Sequence, residues 1–204
     1  MKRSNNLIIF ALILVIIAIS FITKQKVSLP NPLYPISYFS YVDQDNKTFT
    51  VNNLKNKVSV IDFFFTSCEG PCPAMNRYMK ELVEKFSNKE DLQFASFSVD
   101  PLNDSRDVIR EYINSGYLNY RNWFFLETDK SINNLLENGF KLSGEGLPGM
   151  HSTKFILTDT NGYIIGYYNP FVDKEFSLLK DHIALLLGKT IYISPVMVVR
   201  VNKS

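Results

Sequence analysis

Cysteine and histidine are both scarce in this chain of 204 residues, with two of each. Two cysteines exclude a disulfide scaffold and leave a single pair that is either a structural bridge, a redox couple or two metal ligands. No charge of one sign dominates: 22 basic and 20 acidic side chains give a net charge of +2, so there is no electrostatic footprint for nucleic acid. Internal repeats and low-complexity tracts are absent as well. What remains, with 46% hydrophobic residues, suffices for one globular domain with a real core.

One long apolar run exists, Leu7 to Ile22, uninterrupted by charge and preceded by Lys2 and Arg3. It reads as an N-terminal membrane anchor or a secretory signal. Its sixteen residues make about 24 Å of helix, short for a full span. Ala18-Ile19-Ser20 weakly resembles a cleavage site, whereas no cysteine follows the run, which excludes a lipid-anchored lipoprotein. An uncleaved anchor is the preferred reading. It places a single-pass protein in the inner (cytoplasmic) membrane with its domain exported to the periplasmic side; cleavage would make that domain periplasmic or secreted.

The chain divides into an anchor or signal at 1–26, a linker at 27–36, a folded domain at 37–188 and a tail of unassigned role at 189–204. Three prolines in Val27 to Pro35 make the linker extended. Tyr38 to Val42 and Lys47 to Val51 form a hairpin around Asp45-Asn46, and Val58 to Phe65 is a continuous apolar strand holding one acid, Asp62. Met75, Met79, Leu82, Val83 and Phe86 recur at helical spacing behind Pro73, which suits a first helical turn. Leu92 to Val99 is the next strand, and Ser105 to Ser115 a helix capped by Asp104 or Ser105. Trp123 to Leu126 is a short strand, and Ser131 to Asn138 a helix closed by Gly139. A second hairpin joins Thr153 to Thr158 with Tyr163 to Tyr168 through Asn161-Gly162, before a last helix from Lys174 to Leu187. This order, βαβ followed by ββα, implies an α/β domain with a mixed central sheet, helices on both faces and an N-terminal β-hairpin. The tail alternates loosely like a strand, and Pro195 favours an edge.

The two cysteines stand in Cys68-Glu69-Gly70-Pro71-Cys72 with Pro73 behind them, at the junction of strand and helix. A helix N-terminus acidifies a thiol, and the thiolate is the form that attacks disulfides and binds soft metals. The spacing is CxxxC rather than CxxC, which weakens the case for a standard thioredoxin couple, although a disulfide still closes if the loop folds back. Two thiolates favour copper(I) and zinc over magnesium, calcium or manganese, and such a pair needs a further ligand. His182 lies within the last helix and reads as a surface or boundary residue. His151 lies in the glycine-rich loop Gly146-Leu147-Pro148-Gly149-Met150-His151-Ser152, which runs into the strand from Thr153; by analogy with thioredoxin-like folds, the loop entering this strand packs against the cysteine loop.

Three blocks carry a resemblance: Phe63-Phe64-Phe65-Thr66-Ser67-Cys68-Glu69-Gly70-Pro71-Cys72-Pro73-Ala74-Met75, then Ser98-Val99-Asp100-Pro101, then Met150-His151-Ser152-Thr153-Lys154-Phe155. In that order they resemble the Sco/SenC family of membrane-anchored, thioredoxin-fold copper proteins linked to cytochrome c oxidase assembly, over roughly Tyr38 to Leu187. The resemblance implies a thioredoxin-like fold preceded by one transmembrane helix. It also implies a copper site, Cu(I) and also Cu(II), made by Cys68, Cys72 and His151, with the cysteine pair able to cycle through a disulfide. Asp100 matches the acid of the family's Val-Asp-Pro block.

Two functions follow from the resemblance. One is a metallochaperone passing copper to the copper-site subunit of cytochrome c oxidase. The other is a thiol-disulfide reductase that keeps that subunit's cysteines reduced, with Cys68 attacking and Cys72 resolving. A thiol peroxidase is disfavoured, because Thr66-Ser67-Cys68 is one residue short of Thr-x-x-Cys. An inert Cys68–Cys72 bridge in an exported binding domain is the fourth reading. Met75 and Met150 are thioethers near the site, but methionines at helical spacing are usually core. Asp62 either tunes the thiols or faces the surface near a sheet edge, and Asp100 shapes the loop before Pro101.

Overall fold

The computed structural model describes residues 27–143, 146–148 and 152–188, together with Ile13. The rest of the apolar run, Met150, His151 and the tail beyond Gly188 lie outside the described residues. Among those described, no helix is long and apolar enough to cross a membrane.

Seven strands form one mixed sheet in the order β2-β1-β5-β4-β3-β6-β7. They are β1 (Ser40–Asp43), β2 (Thr48–Thr50), β3 (Val58–Phe64), β4 (Leu92–Ser98), β5 (Trp123–Glu127), β6 (Phe155–Thr158) and β7 (Ile164–Tyr168). Strands β3, β4 and β5 are parallel, while β1 against β5, β6 against β3 and β7 against β6 are antiparallel. The parallel strands are buried on both faces, as β3 and β4 are at every position, which is why they read as unbroken apolar runs.

Both hairpin turns are built alike. The Asp43 carboxylate accepts from the backbone N–H of Asp45 and Lys47 at 2.9 Å, and that of Asp159 accepts from Asn161 and Tyr163 at 2.9 Å. Asn46 and Gly162 take the positive φ values, 64° and 80°, that these tight reversals require. The strand expected to run on to Val51 instead ends at Thr50. Its hydroxyl accepts from Asn52 N–H at 3.2 Å and caps a 3₁₀ turn, Val51–Leu54.

The helices are α1 (Cys72–Lys85), α2 (Arg106–Ser115), α3 (Ile132–Asn134, widening into a π turn over Leu135–Gly139) and α4 (Asp173–Leu186). Alternation along β3 sorts the core into two layers. Val58, Val60 and Phe64 face α1, α2 and α4, whereas Ile61 and Phe63 face α3 and the first hairpin. The expected helices on both faces are therefore present.

Residues 33–36, read as the end of the linker, lie along the outer edge of β7. Leu33 N–H donates to Ile164 C=O at 2.8 Å, Ile164 N–H to Tyr34 C=O at 3.0 Å, and Ile36 N–H to Gly162 C=O at 3.3 Å. Proline lacks the N–H that a central strand needs, so a segment containing Pro35 pairs only at an edge. The Tyr34 hydroxyl is hydrogen-bonded to that of Tyr167, which donates in turn to the Phe140 carbonyl at 2.7 Å.

Candidate thiol and metal site

β3 delivers the chain at Phe64 into a short loop, Phe65-Thr66-Ser67, that ends at Cys68. Cys68 N–H donates to the Phe65 carbonyl at 3.2 Å, turning the backbone over the end of the sheet. The Pro71 carbonyl then accepts from Ala74 at 3.0 Å and Met75 at 2.9 Å, so α1 begins with Cys72 in its first position. Neither thiol is in a disulfide. Cys68 is 9% exposed and Cys72 only 1%, while Glu69 and Gly70 between them face solvent. The cysteines belong to the α1-face core with Phe64, Met75, Phe125 and Phe155, and their side chains are hydrogen-bonded to each other. Met75 is core, as its helical spacing implied.

The helix terminus does not acidify Cys72. Burial pushes its thiol well above the ordinary range, the hydrogen bond with Cys68 adds to this, and the bond to the Phe65 backbone opposes both. Desolvation of a thiolate with so little solvent outweighs the partial charge of a helix end. The expectation of two acidified thiols is thus corrected for Cys72.

Asp62 is not near a sheet edge. Strand alternation puts it between Val60 and Phe64 on the α1 face of the central strand, in register with Ser96 of β4. The Ser96 hydroxyl donates to Asp62 Oδ1 at 2.5 Å and accepts from Trp123 Nε1 at 2.9 Å. Burial pushes the Asp62 carboxyl up to about 7, opposed by the Ser96 bond. Its charge also acts on the Cys72 thiol.

A second buried acid escaped the sequence reading. Of the two cap candidates for α2, Asp104 and Ser105, the residue at the cap position is Ser105, although its side chain makes no capping hydrogen bond. The Asp104 carboxylate, 1% exposed, instead reaches the cysteine loop. It accepts from Thr66 N–H at 3.1 Å, Thr66 Oγ1 at 2.6 Å and Ser98 Oγ at 2.6 Å. Asp100 shapes the intervening turn, accepting from Asn103 Nδ2 at 2.8 Å and donating its N–H to Ser98 Oγ at 3.1 Å. An acid just before a helix looks like a cap, so no local signal would have separated the two roles.

His182, read as a surface or boundary residue, is buried, with Nδ1 2.6 Å from the Tyr168 hydroxyl, and its ring is also bonded to the Ser28 backbone. Burial holds its pKa below the ordinary imidazole value. Among the described residues no three His, Cys, Asp or Glu side chains gather as a metal site. The predicted third ligand, His151, lies outside them. The register of β6 on β3, Ile156 opposite Ile61 and Leu157 opposite Val60, brings the start of β6 to the end of the sheet where β3 meets the cysteine loop.

The sequence model of the family described as SCO1/SenC matches residues 34–181. The SCO1 protein homolog of Bacillus subtilis is 31% identical over 149 residues, 69% of this chain and 77% of its own. BsSco, described as a member of the Sco family of cytochrome c oxidase assembly proteins with a disulfide switch, superposes with a TM-score of 0.67 at 28% identity, covering 78% of this chain and 97% of that one. Yeast Sco1 with copper bound shares the fold at a TM-score of 0.59 and 24% identity, over 73% of this chain and 87% of its own. With the thioredoxin-like sheet, the cysteine pair at the end of β3 and this agreement along most of its length, the chain belongs to the SCO1/SenC family.

Proposed function

We propose that this protein carries copper to the copper-site subunit of cytochrome c oxidase during assembly, holding it through Cys68, Cys72 and His151. The observation that carries the reading is the pair of mutually hydrogen-bonded thiols, not joined in a disulfide, at the β3–α1 junction in an apolar layer. Such a pair is a soft dithiolate donor once metal binding expels the thiol protons. The register that brings the start of β6 to the same end of the sheet supports His151 as the third donor. Residues 7–22 anchor the domain in the inner membrane with its copper site on the exported side, in keeping with their charge-free apolar run. Transfer proceeds by exchange, with partner donors replacing these three one at a time.

The unequal burial of the two cysteines favours a second activity of the same pair. Cys68, the more exposed, attacks a disulfide of the partner as thiolate, forming a mixed disulfide and releasing one partner thiolate. Cys72 then displaces the second partner sulfur and closes the Cys68–Cys72 disulfide. Two electrons pass to the partner, and a dithiol donor must restore the pair.

Anaerobic copper(I) titration of the reduced full chain against a chelator tests the first reading. One tight equivalent, lost in Cys68→Ser and in Cys72→Ser, is expected; unchanged binding in both variants refutes it.

A further inference from the structure

A cleft of about 330 Å³ opens between the first turns of α1 and the end of α2, lined by Pro73, Asn76, Arg77, Lys80, Tyr112 and Ser115. Its chemistry is one-sided. Arg77 and Lys80 stand three residues apart on α1, so both reach the same face of the helix. The ion pairs among the described residues are Lys47–Asp45, Arg106–Glu127 and Lys180–Glu81, and neither cation of the cleft belongs to them. The acids of α1 do not line the cleft: Glu81 pairs with Lys180 at 3.0 Å, and Glu84, four residues after Lys80, accepts from the Tyr120 hydroxyl at 2.7 Å. Among the described residues, Arg77 Nη1 donates to the Pro73 carbonyl at 3.4 Å, and Lys80 lies 6.0 Å from the Tyr120 ring centroid. Asn76 Nδ2 donates to the Tyr112 hydroxyl oxygen at 2.6 Å, leaving the phenolic O–H as a further donor in the cleft. Cations and hydroxyl donors without a carboxylate among them select an anion.

The position of the cleft says which anion. Pro73 follows Cys72 directly, and the Tyr112 ring stacks on Phe64 with centroids 5.5 Å apart. A group seated against Arg77, whose guanidinium reaches back to the Pro73 carbonyl, therefore lies at the end of α1 that carries Cys72, where the polypeptide that exchanges with the thiol pair has to dock. The volume suits one or two side chains rather than a folded segment.

We propose that the cleft formed by Asn76, Arg77, Lys80 and Tyr112 receives Asp or Glu side chains of the partner polypeptide, and so orients the partner's thiol or copper-binding segment against Cys68 and Cys72. This rests on the transfer reading above for its purpose, but not for its test. Charges of this kind act mainly through encounter rate and register, and weaken with salt.

The experiment measures binding of three fluorescein-labelled dodecapeptides to the reduced full chain at low and high salt. In each, two serines replace the cysteines of a dithiol segment, so that no exchange can occur, and the flanks carry four Glu, four Gln or four Lys. The Glu peptide is expected to bind at least tenfold more tightly than the Gln peptide at low salt, and the Lys peptide not at all. Arg77→Gln/Lys80→Gln should abolish that preference while copper(I) binding and Tm stay as in the wild type. Equal binding of the Glu and Gln peptides, or a preference that survives in the double variant, overturns the proposal. Capture of glutathione without the Glu peptide overturns it too, since the occupant is then a small anionic thiol. Failure of copper binding in the parallel titration refutes the transfer reading and leaves the peptide result standing.

Discussion

The Asp104 carboxylate accepts a 2.6 Å hydrogen bond from the Thr66 hydroxyl, joining the loop before α2 to the loop before Cys68. Together with the bonds from Thr66 N–H and Ser98 Oγ, it fixes the backbone two residues ahead of the first cysteine. Asp104→Ala leaves these buried donors unpaired. A loss of about 2–3 kcal/mol in urea unfolding is expected, with weaker copper(I) binding at full reduction. Asp104→Asn, which keeps acceptor capacity at one oxygen, should restore part of both.

Asp62 makes stability depend on pH in the direction opposite to most carboxylates. Its folded value, about 7, lies above the ordinary 3.8, so the native state binds the proton more tightly than the unfolded chain. The contribution is complete below pH 3.8 and is lost as pH rises towards 7, at roughly 1.4 kcal/mol per pH unit. Asp62→Asn removes that slope, so the variant should be the more stable protein at pH 8 and nearly equal to wild type at pH 4. Unfolding curves at the two pH values check this.

His182 slopes the other way. Its folded pKa is lowered by burial from the ordinary 6.5, so its contribution is present above that value and is lost as pH falls below it. Protonation also makes Nδ1, 2.6 Å from the Tyr168 hydroxyl, a donor and no longer a possible acceptor. Thermal unfolding between pH 5 and 7 should show a drop towards acid that His182→Gln flattens, at about 1–2 kcal/mol lower stability at pH 7.

The proline-bearing segment 33–36 covers the edge of β7 through three backbone hydrogen bonds and the buried Ile36. A chain beginning at residue 37 should lose about 3 kcal/mol relative to one beginning at residue 27 and should self-associate through the bared edge. Equal Tm and monomeric behaviour in both would contradict this.

Local pattern explains what was legible. The apolar runs 58–65 and 92–99 became β3 and β4 because parallel strands covered on both faces carry no polar face, and Asn161-Gly162 marked its hairpin through the positive φ that glycine supplies. The cysteine pair was found for the same reason, since strand, loop and Pro-led helix are contiguous. Four features depend on contacts between distant residues and were hidden: the Asp104–Thr66 bond across 38 positions, the pairing of 33–36 with β7, the burial of His182, and the desolvation that raises Cys72. A proline-rich segment reads as linker whether or not an edge awaits it, and an amphipathic helix does not reveal which of its boundary residues is covered.

X-ray absorption at the copper edge of the anaerobically loaded full chain tests the central claim most directly. The account predicts two sulfur donors and one imidazole, with the imidazole signature lost in His151→Ala and one sulfur lost in Cys68→Ser or Cys72→Ser. Copper surrounded only by nitrogen and oxygen, or a ligand set that all three variants leave unchanged, would contradict it.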